Sequence, residues 1–334
     1  MQEHADDTLV GKPTRRVDGP LKVTGAARYA AEYDAPDLLH GCVVSASIAK
    51  GRILWIDGAA ARALPGVIDV FTHEHRPRAS DWSGDYTDMV GPPGDAFRPL
   101  GSERILFSGQ PVALVVAESF EAARDASALV RVAYAAEPHC TDLHEAKAGS
   151  YKPPKKRLGI APPPKPRGDF AEAFVDAPVK FEAEYRMPIE HHNPMEPFAS
   201  TCVWQGDGSV LVYDKTQGSL NVQGYLAHAF KLPKRKVRVV NSFVGGAFGS
   251  GLRPQYQVFL AVLASLALER SVRVVLTRDQ MFTLSYRPET IQTITLGADI
   301  DGRLLAIGHR AVANTSSFED HQEPVVNWSS LLYH

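Results

Sequence analysis

A proline- and lysine-rich stretch interrupts the chain near its middle. Residues 150–169 read "SYKPPKKRLGIAPPPKPRGD". Because proline lacks a backbone N–H and disfavours helical geometry in the residue before it, such a stretch favours extended polyproline geometry over packing. We therefore expect a linker at residues 146–168 that separates two bodies, each with its own core.

Length and composition agree with two domains. The chain has 334 residues, of which 44% are hydrophobic and 22% are charged, as in an ordinary globular protein. At roughly 150 residues per domain, two domains are expected. The formal net charge is -2, and the basic cluster at residues 155–157 lies among prolines. These features predict no nucleic-acid partner and leave small-molecule ligands open.

Cysteine spacing and hydropathy argue against a zinc or iron–sulfur site, a secretory leader and a membrane span in this chain. Cys42, Cys140 and Cys202 are far apart, and their spacing supports neither zinc nor an iron–sulfur cluster in this chain. The first ten residues lack the basic and apolar blocks of a secretory leader. The most apolar window, residues 258–268, is too short to cross a bilayer, so we expect no membrane span.

Apolar periodicity predicts an α+β organisation for the first body. Short alternating or apolar runs predict strands, and Ala-rich runs predict short helices. The predicted strands are 40–48, 51–57, 67–74, 110–119 and 130–136, and the predicted helices are 58–64 and 120–129. The first body is expected to end near residue 145.

The second body begins with a short helix at 169–177 and a strand at 179–187. A hairpin follows, with its turn at Gly206-Asp207-Gly208. Residues 236–278 then predict a strand, a glycine-rich loop, a helix and another strand. In a β-loop-α-β unit of this kind, the loop at the carboxyl end of the first strand is the natural ligand position.

The loop "VGGAFGSG", residues 244–251, is called the glycine loop below. It is not a P-loop, since Leu252 and Arg253 stand where Lys and Ser/Thr are required. It is not a dinucleotide fingerprint either, because Pro254 occupies the third glycine position. Two interpretations remain open: a tight turn that needs positive φ, or a backbone that approaches a bulky anionic cofactor.

Four sequence blocks, at residues 16–34, 109–134, 168–200 and 244–251, occur in a familiar order. Together they resemble the molybdenum-binding large subunit of the xanthine dehydrogenase and aldehyde oxidase family, particularly the bacterial aldehyde oxidoreductase type. The resemblance implies an α+β / α/β fold. It places an α/β hammerhead domain with an N-terminal arm at residues 1–145 and the first part of the molybdopterin-binding domain at residues 169–334.

The resemblance also implies a cofactor and the residues that contact it. The family holds molybdenum through a molybdopterin, with the cytosine dinucleotide form as one option, and the protein supplies no direct metal ligand. The matching cofactor-binding positions are Gln217, Gly245, Gly246, Ala247, Phe248 and Gly249. Among them, Gln217, Phe248 and Gly249 would lie in the second shell of the metal, with the Gln217 amide donating to its apical oxygen. From spacing alone, Gln217 is an exposed hairpin residue and Phe248 an ordinary core residue.

Three further residues of this region carry expectations. Glu196, in the block "MEP", is expected to be a structural carboxylate that accepts backbone N–H bonds rather than a general base. The family's usual loop has a third glycine where this chain has Ala247. If that position needs positive φ, alanine is strained there. Ser250 offers an additional hydroxyl hydrogen bond.

The resemblance implies oxidation of aldehydes or N-heterocycles with oxygen from water. Electrons would leave through partner subunits that carry [2Fe–2S] clusters and FAD. The family's large subunit is longer than this chain, and its general-base glutamate lies in the later half. We therefore expect no catalytic residue in this chain, little turnover by the chain alone, and a complementary C-terminal chain as a possible partner. The expected compartment is the cytoplasm, with the periplasm, reached by co-export with a partner, as the alternative.

Two other functions are open at this stage. A non-catalytic module that binds the cofactor or holds partners would share these sequence blocks without turnover. A nucleotide-dependent α/β enzyme is the third possibility, and the failed glycine spacings argue against it.

Overall fold

The computed structural model describes residues 11–77, 98–152, 166–316, 318 and 323–332. Most of the predicted linker, residues 153–165, lies outside these ranges. The described helices are α1 Gly19–Val23, α2 Ala59–Arg62, α3 Phe120–Ser127, α4 Leu143–Ala146, α5 Phe170–Asp176, α6 Ser219–Ala229, α7 Tyr256–Leu268, α8 Arg278–Met281 and α9 Val325–Ser329.

The strands in the same ranges are β1 Leu39–Ser45, β2 Gly51–Asp57, β3 Val67–Thr72, β4 Arg104–Ile105, β5 Pro111–Ala117, β6 Arg131–Ala136, β7 Val179–Met187, β8 Glu190–His191, β9 Ala199–Trp204, β10 Val210–Asp214, β11 Val237–Val240, β12 Val272–Val275, β13 Tyr286–Arg287, β14 Thr290–Ala298 and β15 Leu304–Ala313. They form one seven-stranded sheet and three smaller ones. The predicted strands and helices are present within a few residues of their expected bounds.

Local sequence explains the central elements. The apolar run of β5 is buried along its whole length, as expected for an inner strand covered on both faces. Helix α3 is capped at its N-terminus by Ser119, whose side chain accepts a hydrogen bond from the Ala122 N–H. Helix α7 is apolar on all sides and is buried from Tyr256 to Ser265. It packs against β9 and β12 in the main core.

The seven-stranded sheet has the order β11-β10-β9-β12-β1-β5-β3. It therefore combines strands from both sides of the proline-rich stretch. Strand β1 pairs in parallel with β12, and Leu39 lies opposite Val272. Residues from both regions also form one buried core cluster, which includes Leu114 and Leu260.

The prediction of two bodies with separate cores is therefore wrong at this sheet. Because β1 pairs with β12, a backbone edge that would otherwise be exposed is covered by the other region. The domain limits themselves, with the linker between them, stay a prediction.

The predicted β-loop-α-β unit is present as β11, the glycine loop, α7 and β12. The two strands are not neighbours, because β10 and β9 lie between them. Strands β10 and β11 pair in parallel, whereas β9 runs antiparallel to β10. The carboxyl ends of β10 and β11 and the start of β9 therefore meet at one edge of the sheet. This edge positions the site.

Three smaller sheets complete the described structure, with the orders β4-β2-β6, β15-β14-β7 and β13-β8. A small apolar cluster that includes Ile53 and Val112 ties β2 to β5 of the main sheet. In the part of the chain covered by the structure, no helix is long and apolar enough to cross a membrane.

Candidate cofactor-binding site

The glycine loop begins with a two-way contact to Glu196. The Gly245 N–H donates to Glu196 Oε2 at 2.6 Å, and the Glu196 N–H donates to the Gly245 carbonyl at 3.1 Å. A longer hydrogen bond of 3.5 Å links the Ala30 N–H to Glu196 Oε1. The prediction that Glu196 accepts backbone N–H bonds matches this geometry. Its carboxylate joins the loop, the start of β9 and the arm that precedes β1.

Burial and hydrogen bonding act on Glu196 in opposite directions. Partial burial raises the pKa of Glu196, while the N–H groups of Gly245 and Ala30 and the charge of Lys215 lower it. The hydrogen bonds to Glu196 therefore favour its ionised carboxylate, whereas its partial burial favours the neutral acid.

The backbone of the loop turns through left-handed conformations at three residues. Gly246 has φ +90°, Phe248 has φ +54° and Gly249 has φ +95°. Ala247 lies between them with an ordinary φ and is buried. The condition for strain at Ala247 is therefore not met, because the left-handed conformation falls on Phe248 instead.

Phe248 is also the exposed residue of the loop. Its side chain is 73% exposed, so the interpretation of Phe248 as a core residue is wrong. A large aromatic side chain that is held outward in a left-handed conformation loses both burial and backbone energy. That combination favours contact with something other than this chain's own core.

Ser250 closes the loop from inside. Its N–H and its hydroxyl both donate to the Ala247 carbonyl, at 2.9 and 2.6 Å. The predicted additional hydroxyl bond is present, and it acts within the loop. The Gln255 side chain donates to the Ser250 carbonyl at 2.6 Å, which ties the loop to the start of α7.

The outer part of the loop presents unused donors. Among the described residues, no hydrogen bond uses the N–H group of Gly246, Ala247, Phe248 or Gly249 as its donor. Successive N–H groups in turns that mix right- and left-handed residues form concave sites for anions. Residues 246–249 therefore form a patch of free backbone donors beside the exposed Phe248.

Gln217 borders this patch. The Gln217 N–H donates to the Gly251 carbonyl at 2.8 Å, and Gln217 Oε1 accepts from the Gly251 N–H at 3.2 Å. With the oxygen so engaged, the Nε2 donors have no partner within the described ranges. Gln217 is exposed, as its spacing predicts, and the structure also brings it to the glycine loop.

The sequence did not reveal two buried charged residues that lie just before Gln217 in the chain. Asp214 is the last residue of β10 and Lys215 follows it, and both are almost completely buried. Burial raises the pKa of Asp214 to about 7, and it lowers the pKa of Lys215 to about 8. The Ser200 hydroxyl donates to Asp214 Oδ1 at 2.5 Å. Their position just before Gln217 in "YDKTQG" was the available signal.

Arg278 is a third residue that the sequence did not reveal. Its guanidinium donates to Asn193 Oδ1 and to the Met195 carbonyl, both at 3.0 Å. It therefore fixes the segment that leads into Glu196. Within the described residues, no group of three or more His, Cys, Asp and Glu side chains is placed to hold a metal ion.

Comparison with known proteins identifies the family. A model of the molybdopterin cofactor-binding domain matches residues 154–333, more than half of the chain. The chain belongs to this family. A model of the aldehyde oxidase and xanthine dehydrogenase a/b hammerhead domain matches residues 24–138. The predicted family and fold class are therefore confirmed.

Individual relatives agree with this assignment. The molybdenum-binding subunit PaoC of an aldehyde oxidoreductase from Escherichia coli K12 is 36% identical over 328 residues, which cover 97% of this chain and 42% of PaoC. The molybdenum-binding subunit of a xanthine dehydrogenase from Escherichia coli O157:H7 is 27% identical over 321 residues, with coverage of 93% and 42%. The chain thus spans less than half the length of these relatives.

Solved structures share the fold. Quinoline 2-oxidoreductase from Pseudomonas putida 86 matches with a TM-score of 0.76 and 26% identity, over 89% of this chain and 38% of that one. CO dehydrogenase from Oligotropha carboxidovorans matches with a TM-score of 0.73 and 25% identity, over 90% and 39%.

Proposed function

We propose that this chain holds a molybdenum–molybdopterin cofactor in a molybdenum hydroxylase of the aldehyde oxidase and xanthine dehydrogenase type. The observation that carries the proposal is the row of unused N–H donors at residues 246–249 next to the free amide of Gln217. Donors left without partners at an exposed loop are suited to an anionic group. The family assignment supplies the identity of that group.

The residues present fit such a cofactor. Gly246, Ala247, Phe248 and Gly249 would offer backbone N–H groups, and Gln217 Nε2 would donate to an oxygen at the metal. The role of Gly245 would differ, because its N–H is used by Glu196. A Cβ at that position would lie 2.6 Å from the Glu196 Cβ, so glycine is needed for the approach of the two segments.

The chain's own contribution would be binding and orientation. When bound, the cofactor supplies the redox chemistry that hydroxylates an aldehyde or an N-heterocycle with oxygen from water. Gln217 would stabilise negative charge on an oxygen through its amide N–H. The ring of Phe248 would cover one side of the site and limit the access of water.

The complete reaction would need components beyond the described residues. We propose [2Fe–2S] and FAD partner subunits to receive the electrons, and a general-base glutamate supplied by a C-terminal segment or by a complementary chain. The cytosine dinucleotide form of the cofactor and a cytoplasmic location belong to the same proposal, with a periplasmic location by co-export as the alternative.

One observation favours a second candidate, a module that binds cofactor without turnover. Glu196 is the carboxylate beside the loop, and it accepts hydrogen bonds from two backbone N–H groups. A carboxylate committed in this way is a poor general base, since proton abstraction would break its bonds to the loop.

Metal and pterin analysis tests the proposal. The chain is co-expressed with its genetic neighbours and purified, and molybdenum is measured by mass spectrometry and pterin by fluorescence after oxidation. We expect both in the wild type, less molybdenum in Gln217→Ala, and an unchanged content in the control Gln205→Ala, on the β9–β10 hairpin. A wild-type complex with neither molybdenum nor pterin would overturn the proposal. Turnover of an aldehyde or N-heterocycle separates the hydroxylase from the module.

A further inference from the structure

The three-stranded sheet β15-β14-β7 has an apolar side that is only partly buried. Strand β7 reads "VKFEAEYRM", so its odd-numbered residues are apolar or aromatic and its even-numbered residues are charged. Such alternation predicts a strand with its apolar side against a core. In the structure, however, Phe181 is 48% exposed and Tyr185 is 51% exposed. The side of β7 that the pattern marks for burial is therefore half in solvent.

The register of the sheet places further apolar residues beside Phe181. Leu296 of β14 lies opposite both Phe181 and Ile307. Ile294, two residues earlier in β14, lies opposite Ala183. Residues directly opposite each other on antiparallel strands project from the same face of a sheet. This surface is called the apolar face below and consists of Phe181, Ala183, Tyr185, Ile294, Leu296 and Ile307.

Helix α5 covers the opposite face of the same sheet. A Cβ built on Gly308 would lie 3.0 Å from Phe170 Cζ, at the start of α5. A Cβ built on Gly297 would lie 2.9 Å from the Cβ of Ala177, which follows the helix. Both glycines come directly after residues of the apolar face, so they belong to the other side of the sheet. The helix therefore stabilises one face and leaves the exposed part of the apolar face to another partner.

The C-terminal end of the described structure lies beside the apolar face. His309 of β15 projects from the same face, and its Nδ1 lies 2.9 Å from the Ser329 hydroxyl oxygen of α9. This contact holds α9 against β15. Trp328, next to Ser329, is largely exposed, as is Leu332. Exposed apolar surface therefore continues from the sheet onto the last residues that the structure describes.

We infer that the apolar face is the docking surface for a complementary C-terminal chain, equivalent to the part of the longer relatives that lies beyond their match to this chain. The match covers 42% of PaoC, so a subunit of that length includes a further polypeptide large enough to cover the face. Contiguous exposed apolar surface marks interaction sites, and aromatic residues are enriched at the centres of protein interfaces. A chain that continues from the position of Leu332 would cover both α9 and the sheet.

The inference rests on the part of the proposed function that calls for a complementary chain, and it does not depend on the cofactor. A second copy of this chain is the competing occupant. It would pair the two sheets face to face, without a reason for the exposure of Trp328 and Leu332 beside them.

Hydroxyl-radical footprinting with mass spectrometry measures the cover directly. The 334-residue chain is labelled alone and in the complex purified after co-expression with its genetic neighbours. We expect that complex to contain a polypeptide similar in sequence to the remaining part of PaoC. Labelling of Phe181 and Tyr185 is expected to fall about fivefold in the complex, since residues at the centre of an interface lose their access to solvent.

Substitutions on the apolar face test whether it carries the contact. Phe181→Lys places an ammonium group on the face, and a half-exposed position can accept it in the folded chain. We expect the complementary polypeptide recovered with the tagged 334-residue chain to fall about tenfold, because docking would bury that charge. Trp55→Lys is the matched control, since Trp55 of β2 is 51% exposed and lies outside the apolar face. Circular dichroism checks folding, and Phe181→Gln replaces Phe181→Lys if the latter does not fold.

Several outcomes would overturn the inference. Equal labelling of Phe181 in the free chain and the complex would do so, as would a wild-type complex that lacks the complementary polypeptide. Weak labelling in the free monomer would show that this chain covers its own apolar face. A homodimer that Phe181→Lys dissociates, measured by light scattering, would assign the face to a second copy. A complex with protected Phe181 but without molybdenum or pterin would refute the cofactor proposal and leave the docking surface intact.

Discussion

The Cα of Gly245 faces the side chain of Glu196 at the base of the glycine loop. A Cβ built on Gly245 would lie 2.6 Å from the Glu196 Cβ and 3.4 Å from Tyr29 Cε1. The φ of Gly245 is not left-handed, so its backbone would accept alanine. Lack of space, rather than conformational freedom, therefore explains the glycine at this position.

Gly245→Ala tests this steric requirement. We expect it to destabilise the fold by about 1–3 kcal/mol through overpacking and to lower the molybdenum content of the purified complex. Gly224→Ala is the matched control, because a Cβ at Gly224 meets nothing within 4 Å. Since Gly224 lies inside α6, alanine there is expected to stabilise by about 1 kcal/mol. Urea unfolding of both variants gives the comparison, and an unaffected Gly245→Ala would contradict the steric explanation.

Asp214 predicts a pH dependence of stability. The pKa of Asp214 is about 7 in the folded protein, whereas an unperturbed aspartate has a pKa of 3.8. Between these two pH values the folded state therefore binds more protons than the unfolded state. Stability from this group is present at low pH and is lost as the pH rises from about 4 to about 7. Asp214→Asn keeps an acceptor for the Ser200 hydroxyl but cannot ionise.

We therefore expect the free energy of unfolding of Asp214→Asn, relative to the wild type, to rise by on the order of 3 kcal/mol across that pH range. Urea unfolding at several pH values measures the difference. The control is Asp207→Asn, because the Asp207 pKa lies below its ordinary value and the group is already ionised in this range. A wild-type minus variant difference that is independent of pH would show that Asp214 does not titrate there.

At the residue scale, the sequence identified the glycine loop but not the backbone conformation and burial of the residues that form its surroundings. The positions of Gln217 and the glycine loop follow from the resemblance, and the structure brings them together. The left-handed φ of Phe248 and the burial of Lys215 could not be predicted, because each depends on neighbours that are distant in the chain. From the sequence alone, a lysine before "TQG" is typical of a solvent-exposed turn. Only the fold shows that this lysine is buried at the edge of the sheet.

At the element scale, the individual strands and helices could be predicted, but the pairing of the strands in the sheet could not. Local periodicity predicts β5 and α7, since the pattern of apolar residues indicates whether an element is buried on one side or on all sides. The pairing of β1 with β12 joins residues more than two hundred positions apart, and no local pattern encodes it. The same holds for the insertion of β9 and β10 between β11 and β12.

Gly41 offers a test of the β1 position. A Cβ there would lie 2.8 Å from Val274 Cγ2 and 3.1 Å from Leu114 Cδ1, which belong to the adjacent strands β12 and β5. Gly41→Ala is therefore expected to lower the free energy of unfolding by about 1–3 kcal/mol. Gly149→Ala, at a position with nothing within 4 Å, is the control and is expected to change it by less than about 0.5 kcal/mol. Thermal unfolding monitored by circular dichroism distinguishes the two.

At the scale of the whole molecule, the shared sheet makes the two regions mutually dependent. Neither β1 nor β12 keeps its parallel partner without the other region, and the main core cluster draws on both. Elements that share one sheet and one core are expected to unfold together. The proline-rich stretch therefore joins parts of one cooperative unit, although its composition resembles that of a linker between independent domains.

Two tryptophans report on this cooperativity. Trp55 lies in β2, on the N-terminal side of the proline-rich stretch, and Trp204 lies in β9 on the other side. Two variants keep one of them each, with the remaining tryptophans replaced by phenylalanine. We expect their urea unfolding curves by fluorescence to have the same midpoint and to coincide with the far-ultraviolet circular dichroism curve. Separate midpoints for Trp55 and Trp204 would show that the regions unfold independently, and the pairing of β1 with β12 would then contribute little to stability.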